Sequence, residues 1–461
     1  MRLIFAILIA FALALGSIHS SFAQSPHQTT QASTPQINLL PQLRDQAREQ
    51  HIWQEHRITQ ILPGLMEKYD VDLWILSMRE YAEDPVFWSI AAPTTFAARR
   101  RSIYLFLRQQ DGTVRNIALG GTAQGGIFEA YKNPDQSVEG AELVGTGQWA
   151  LFRKFVEDAD PGSIVLNIDA VHAFSDGLHA GEREALEAAL GDTYLARVKR
   201  VPELALDFIA IRAPQMEVRY RLIQETVHAI ISEAFSSRVI TPGVTTTEDV
   251  VWWMREKIQS LGMTTWFQPS VGVQRHDENP AGDNLSDGTI IERGDMLWCD
   301  FGVIAMRLKT DTQHLGYVLR EGETSPPEGL MVGLRTSNRL QDILLAEMTP
   351  GRTGNEILHS ALTQMRSEGI DGTIYTHPIG DHGHGAGPLI GRWDQQTALA
   401  GRGSVKLAAS TWHSIELQAT VAVPEWGGQR VRFSQEEEAG VSEDGSRYWI
   451  FGRQERFHLV H

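Results

Sequence analysis

Cysteine occurs once among 461 residues, at Cys299, so no intramolecular disulfide can form. A small fold stapled by cystines is excluded, and stability must come from packed apolar cores. Positive charge is also short: 41 Lys and Arg stand against 57 Asp and Glu, a formal net charge of −16. That balance lacks the basic footprint of a nucleic-acid binder. Long hydrophobic runs are missing beyond the first residues. Arg2 precedes the single run, Leu3–Leu15, which is followed by Gly16-Ser17 and Ser21-Phe22-Ala23. The run is shorter than the ~20 residues of a spanning helix and has the layout of a secretory signal peptide, with cleavage expected after Ala23. The expectation is an exported, soluble protein, periplasmic or secreted, without a membrane anchor once residues 1–23 are removed.

What is present suits two or three domains. Residues 24–39 are polar, with Ser, Thr, Gln and Pro, and read as a disordered lead-in. From Leu43 to Tyr69 apolar residues recur at helical spacing, interrupted at Pro63. Val71–Met78, Ser102–Arg108 and Ser163–Asp169 read as strands, with helical patterns at Gln148–Glu157 and Glu182–Leu190. Alternation of this kind predicts an α/β domain over 40–212. Arg212-Ala213-Pro214 is a break. Beyond it, helices are expected at Met216–Phe235, Thr247–Leu261, Gly329–Met348 and Asn355–Glu368, and strands at Trp266–Val273 and Met296–Val318.

Trp298–Tyr317 is the most informative stretch. Asp300 and Asp311 lie in strand-like, largely apolar surroundings. A hairpin turning about Ala305-Met306 would make them cross-strand partners on one face, where like charges repel. Such a pair needs a shared proton or a cation between them. Three further stretches supply donors of the same kind. Tyr375–Leu389 carries His377, His382 and His384 among glycines, which allow close backbone approach. Trp412–Ala419 holds Glu416 in a strand-like setting, and glutamate is rarely buried without a partner. Glu436-Glu437-Glu438 supplies more carboxylate, although a solvated acidic run is the ordinary meaning of such a cluster. Two Asp, one His and two Glu suit a pair of divalent ions such as Mn²⁺, Zn²⁺ or Co²⁺ better than a structural zinc.

The order and spacing of these residues resemble the metallopeptidase family of methionine aminopeptidase, prolidase and Xaa-Pro aminopeptidase, with its creatine-hydrolysing branch. Asp300-Phe301-Gly302 and Asp311-Thr312 resemble the family's aspartate pair, eleven residues apart, and Gly294-Asp295 its preceding G-D. His384-Gly385-Ala386-Gly387 resembles the glycine-bearing ligand segment. Ser414-Ile415-Glu416 resembles the fourth-ligand strand, and Glu436, followed by Glu443-Asp444-Gly445, the last ligand and its turn. The resemblance covers roughly 216–461 and extends weakly over 40–212.

It implies an N-terminal creatinase-like α/β domain (40–212) and a C-terminal pita-bread domain (216–461). It also implies two divalent metal ions on Asp300, Asp311, His384, Glu416 and Glu436, with His377 and His382 as catalytic groups and His382 as the alternative ligand. The implied activity is an aminopeptidase or dipeptidase, including an Xaa-Pro-specific one, acting on a peptide through a metal-activated hydroxide. Glu416 or Glu436 would carry the proton. No nucleic acid partner is expected, and a homodimer is compatible with the resemblance. Two alternatives stay open: a non-catalytic homologue that binds metal or ligand, and a metal-free amidinohydrolase. The family's downstream His-Glu or His-Asp pair is replaced here by Trp393-Asp394. Its upstream histidine has only His276 nearby, with Asp283 closer to the expected distance.

Overall fold

The computed structural model describes residues 34–120, 122–132, 146–277, 284–285 and 288–461. The expected signal peptide, residues 24–33 of the lead-in and Asp283 lie outside them. Residues 34–39 of the lead-in run along the helix Met216–Ala234: the Gln36 N–H donates to Glu225 and the Asn38 N–H to the Thr226 hydroxyl. Among the described residues no helix is long and apolar enough to cross a membrane.

The first half is built on a mixed sheet of β1 (Leu73–Arg79), β2 (Arg101–Arg108), β3 (Val114–Leu119), β4 (Glu129–Tyr131), β5 (Ile164–Leu166) and β6 (Val198–Lys199), ordered β4-β3-β2-β1-β5-β6. Its central strands are apolar on both faces because both are covered. Leu73 and Ile75 pack with Phe152, Val156, Leu186 and Leu190 of two helices. Trp74 and Leu76 pack on the other side with Ile58, Leu62, Met66 and Phe208. The interruption expected at Pro63 takes a particular form. Pro63 sits at the start of Leu62–Lys68, and the helix before it widens to π geometry over Arg57–Ile61. A proline has no N–H to give to the preceding turn, and the wider turn accommodates that without breaking the helix.

The second half holds a larger sheet. Its strands are β7 (Ser270–Gln274), β8 (Met296–Phe301), β11 (Thr312–Val318), β12 (Gly372–Ile374), β14 (Thr411–Val423) and β15 (Gln429–Val441), ordered β12-β14-β15-β11-β8-β7. Between β8 and β11 the chain makes the short ladder β9 (Ile304–Ala305) with β10 (Leu308–Lys309). Three short strands add to the sheet: β13 (His377–Pro378) on β14, β16 (Arg447–Trp449) on β15 and β17 (His458–Val460) on β11. Two helix pairs cover it, Met216–Ala234 with Thr247–Ser260 and Glu328–Glu347 with Gly354–Ser367. Each pair turns on the same device. Thr241-Pro242-Gly243 and Thr349-Pro350-Gly351 place glycine at φ 80° and 89°, and Thr246 with Asp249 and Thr353 with Glu356 then form capping boxes. Both orphan donors at the helix start are thereby satisfied.

The halves meet at Asp381. This buried carboxylate accepts from Arg57 of the π-helical turn, from Arg212 at 3.0 Å and from Ser89 at 2.9 Å. Burial alone would raise its pKa, but Arg57 and Arg212 hold it below the usual carboxylate range. The tip of the β9–β10 hairpin adds a second tie: the Arg307 guanidinium donates to the carbonyls of Ala91, Ala92 and Thr95 at 2.9–3.0 Å.

Candidate metal centre

The centre forms by strand register. The β8–β11 hairpin turns on Met306-Arg307, both at positive φ (50° and 69°), a two-residue turn whose twist matches its strands. The turn is one residue later than expected, and this moves every cross-strand partner by two. Asp300 is therefore opposed by Gln313 and not by Asp311. Asp311 precedes Gln313 by two residues, so the aspartates share a face diagonally. Gln313 is in turn opposed by Glu436 on β15, and Glu436 by Glu416 on β14. One transverse row thus reads Asp300, Gln313, Glu436, Glu416. The next row carries Asp311, Glu438, Ser414 and His377, since Ser414 is opposed by Glu438 on one side and His377 on the other.

These side chains converge, Asp300 and Glu416 part-buried and the others buried. His377 Nε2 lies 3.3 Å from Glu436, 3.7 Å from Asp311 and 3.9 Å from Glu416. One ligand atom each of Asp311, His377 and Glu436 lies within 4.8 Å of the other two, and the same holds for Asp300, Glu416 and Glu436. The Gln313 amide donates to Glu416 at 2.6 Å and to Glu436 at 2.8 Å, and its oxygen accepts from the Trp298 indole at 3.0 Å. Ser414 donates to the other oxygen of Glu436 at 2.6 Å. The acidic run at 436–438 is not a solvated one: all three glutamates are buried.

The electrostatics are those of a site short of positive charge. Burial and the nearby Glu436 push Asp300 up to about 8. Burial, then Glu436 and Asp300, raise both Asp311 and Glu416 well above their ordinary values. Asp300 Oδ1, Asp311 Oδ1 and His377 Nε2 are buried without a hydrogen-bond partner. Buried polar atoms are nearly always paired, so orphaned acceptors converging on one space fit divalent cations. The residues present suit two ions.

The structure places the three histidines apart from one another in role. His377, expected as a catalytic group, is the one that stands among the carboxylates. His384, expected as the metal ligand, is not among them: it is exposed, and its ring meets that of His377 edge-on at 4.8 Å. Partial desolvation of its ring beside Trp266, then the neighbouring His377, hold His384 down to about 4. His382, the other expected catalytic group, packs on Phe174 of the first domain with ring centroids 4.7 Å apart. The glycines make this loop possible. Gly380 has φ 136° and a Cβ there would strike the Arg212 guanidinium, while one on Gly383 would strike the Trp266 ring. His276 lies near Trp426 and Asp277, and Asp394 pairs with Arg392, so neither reaches the centre.

A model of metallopeptidase family M24 matches residues 219–435. The C-terminal domain belongs to metallopeptidase family M24. Its sheet and paired helices are the pita-bread fold of that family, and the whole chain has a prolidase-like two-domain architecture. The structure is similar to the X-Pro aminopeptidase of Thermotoga maritima MSB8, at 16% identity and TM-score 0.60, over 86% of this chain and 99% of that one. It is also similar to the Xaa-Pro dipeptidase of Bacillus anthracis (15%, TM-score 0.54, 91% and 100%). The N-terminal domain of the FACT complex subunit SPT16 from chickpea, Cicer arietinum, matches as well (8%, TM-score 0.53, 89% and 99%). At these identities the likeness concerns the fold. No curated protein matches the chain.

Within the M24 domain, sequence reasoning missed Gln313 and Ser414, which steady the glutamates, and Tyr375. The Tyr375 phenol is raised far above its usual pKa by burial, then by Glu416 and Glu436. The signal for Gln313 was its period-two spacing from Asp311. The histidines yield a direct prediction. His377→Ala is expected to lower bound metal by at least about tenfold in affinity, the scale of even an outer-shell loss. His384→Ala is expected to keep its metal and lose turnover. Elemental analysis of both variants decides, and metal loss confined to His384→Ala would reverse the assignment.

Proposed function

We propose that the chain is an exported metallo-aminopeptidase or dipeptidase that cleaves short peptides with proline after the scissile bond. The observation that carries this reading is the convergence of Asp300, Asp311, His377, Glu416 and Glu436 with unpaired acceptors facing one another. Asp300, Glu416 and Glu436 would hold one ion, Asp311, His377 and Glu436 the other. Bound divalent ions would supply an activated water and an electrophile for the scissile carbonyl.

The chain's own residues have separable tasks. Glu416 is the more open carboxylate, with its side chain 18% exposed against 7% for Asp311 and 1% for Glu436. It is the group placed to receive a proton from water and return it to the leaving amine. Gln313 holds Glu416 and Glu436 in register for that exchange. His384, exposed beside the buried cluster and neutral near pH 7, can donate its N–H to a developing oxyanion. The loop carrying His377 and His384 is also held by the first domain through Asp381 and His382, which favours a confined site and short substrates. The signal-peptide layout of residues 1–23 supports export.

A panel of free and N-acetylated peptides, with and without proline at the second position, tests the reading on protein loaded with Mn²⁺, Zn²⁺ or Co²⁺. Expected is release of the first residue from free Xaa-Pro peptides, lost on chelation and absent for acetylated ones. Protein holding two ions but cleaving nothing would point to a binding homologue. Hydrolysis of creatine without metal would point to an amidinohydrolase.

A further inference from the structure

The strands that present the carboxylates to one face present a different set to the other. Gln313 and Glu436 face the metal centre, so their neighbours His314 and Glu437 face the opposite side. There they meet His228, from the helix Met216–Ala234. His314 Nε2 lies 2.9 Å from Glu437 Oε1, and His228 Nε2 lies 3.0 Å from Glu437 Oε2. The two imidazoles stand edge-on with centroids 4.5 Å apart. His228, His314 and Glu437 are 5%, 2% and 0% exposed, and one ligand atom from each falls within 4.8 Å of the others.

Two features separate this cluster from an ordinary buried ion pair. The first is alignment. His228 Nε2 and Glu437 Oε2 are close, yet neither makes a hydrogen bond. Two lone pairs aimed at a common point would leave their atoms in that relation: bonds of ~2.1 Å at a right angle separate the donor atoms by about 3 Å. The second is the outer shell. His314 Nδ1 lies 3.0 Å from His458 Nε2, and the Gln454 N–H donates to Glu437 Oε1 at 2.6 Å. His314 thus has a partner on each ring nitrogen, His458 at Nδ1 and Glu437 Oε1 at Nε2, and the tautomer that donates from Nδ1 to His458 turns the Nε2 lone pair into the cluster. Metal-binding histidines are commonly oriented by such a partner on the other ring nitrogen.

We propose that His228, His314 and Glu437 form a third metal site, behind the sheet and separate from the carboxylate-rich centre. Two imidazoles and one carboxylate make a softer donor set than the front centre, with its four carboxylates and one imidazole. It selects a first-row ion such as Zn²⁺, Co²⁺ or Ni²⁺ over Mn²⁺ or Mg²⁺. Such an ion would tie the helix Met216–Ala234 to β11 and β15 directly behind the front centre. The proposal does not depend on peptidase activity.

The test is metal stoichiometry of the full chain after loading with Zn²⁺ or Co²⁺ and exhaustive dialysis. Wild type is expected to retain three equivalents, and the Asp300→Asn/Asp311→Asn double variant one. His228→Gln is expected to remove one equivalent from either background, and Zn²⁺ should raise the unfolding temperature of the double variant but not of the triple. If the front centre holds nothing, wild type and double variant would both retain one equivalent that His228→Gln removes; the third site would then stand and the dinuclear reading fall. Two equivalents or fewer in wild type with none in the double variant would overturn the proposal. So would a third equivalent indifferent to His228→Gln. Wild-type stoichiometry needs no variant to fold, and Glu437→Gln provides a second disruption if His228→Gln is unstable.

Discussion

Asp311→Asn is expected to lose tight metal binding and at least about a hundredfold of activity, while its metal-free form unfolds no more readily than metal-free wild type. The lower bound on activity is the upper end of what an outer-shell change costs, and Asp311 is placed as a ligand. Stability should respond in the opposite direction. Without ions, Asp311 shares a confined space with Asp300, Glu416 and Glu436, and burial together with the Glu436 charge raises Asp300, Asp311 and Glu416. The amide keeps the shape and removes one charge, so repulsion falls. Ions at 100 times their dissociation constant would stabilise wild type by about 2.7 kcal/mol, and the variant would gain little of that. Thermal unfolding of both proteins, chelated and then supplied with Mn²⁺ or Zn²⁺, separates the two effects. A full metal-induced shift in the variant, with activity kept, would refute Asp311 as a metal ligand.

The second large effect is a reversed pH dependence in the metal-free protein. Asp300 is pushed up to about 8 in the fold, against an unfolded value of about 4, and Asp311 and Glu416 are raised in the same direction. The native state then binds more protons than the unfolded one, so stability falls as pH rises towards the folded values. Each such proton is worth about 1.4 kcal/mol per pH unit. Asp84, pushed up to about 7 by burial, and Glu438, also raised by burial, add to the fall in the same direction. His382, His384 and His413, held down to about 4, about 4 and about 3, are largely neutral in both states between pH 7 and 8.5. Asp381 and Glu437, both depressed, matter only in acid. Chelated protein should therefore melt at a clearly lower temperature at pH 8.5 than at pH 7, and added metal should flatten the difference. A chelated protein that is more stable at pH 8.5 would mean that these carboxylates are ionised and paired some other way.

The fold class was legible because its signals are local and repeated: strands and helices alternate before residue 212, and long helices bounded by Pro-Gly alternate with strands after it. Period-two alternation also carried much of the centre, since Asp300, Asp311, Glu416 and Glu436 each lie in strand-like sequence. What failed was counting across turns. The hairpin between the aspartates turns on two non-glycine residues at positive φ, Met306 and Arg307, which propensity gives no reason to choose. One residue of error there concealed Gln313. The histidine loop resisted for another reason. Glycine-rich sequence has no period to read, and which imidazole points inward depends on where Gly380 and Gly383 admit Arg212 and Trp266. The cluster behind the sheet was not legible at all, because His228 reaches Glu437 through the packing of a helix on a sheet 209 residues further along the chain.

Asp381 has a consequence for how freely the M24 half could be transplanted. A fragment beginning at Met216 would carry that carboxylate without Arg57 or Arg212, leaving the loop bearing His377 and His384 held by Lys309 and Arg402 at its backbone but with the Asp381 side chain stripped of both guanidinium partners. Arg307 would lose its three carbonyl acceptors, leaving the tip of the aspartate hairpin untethered. The catalytic half is thus no portable module. A substitution in the first domain, which supplies no candidate ligand, can reach the metal centre by loosening the loop and the hairpin that frame it.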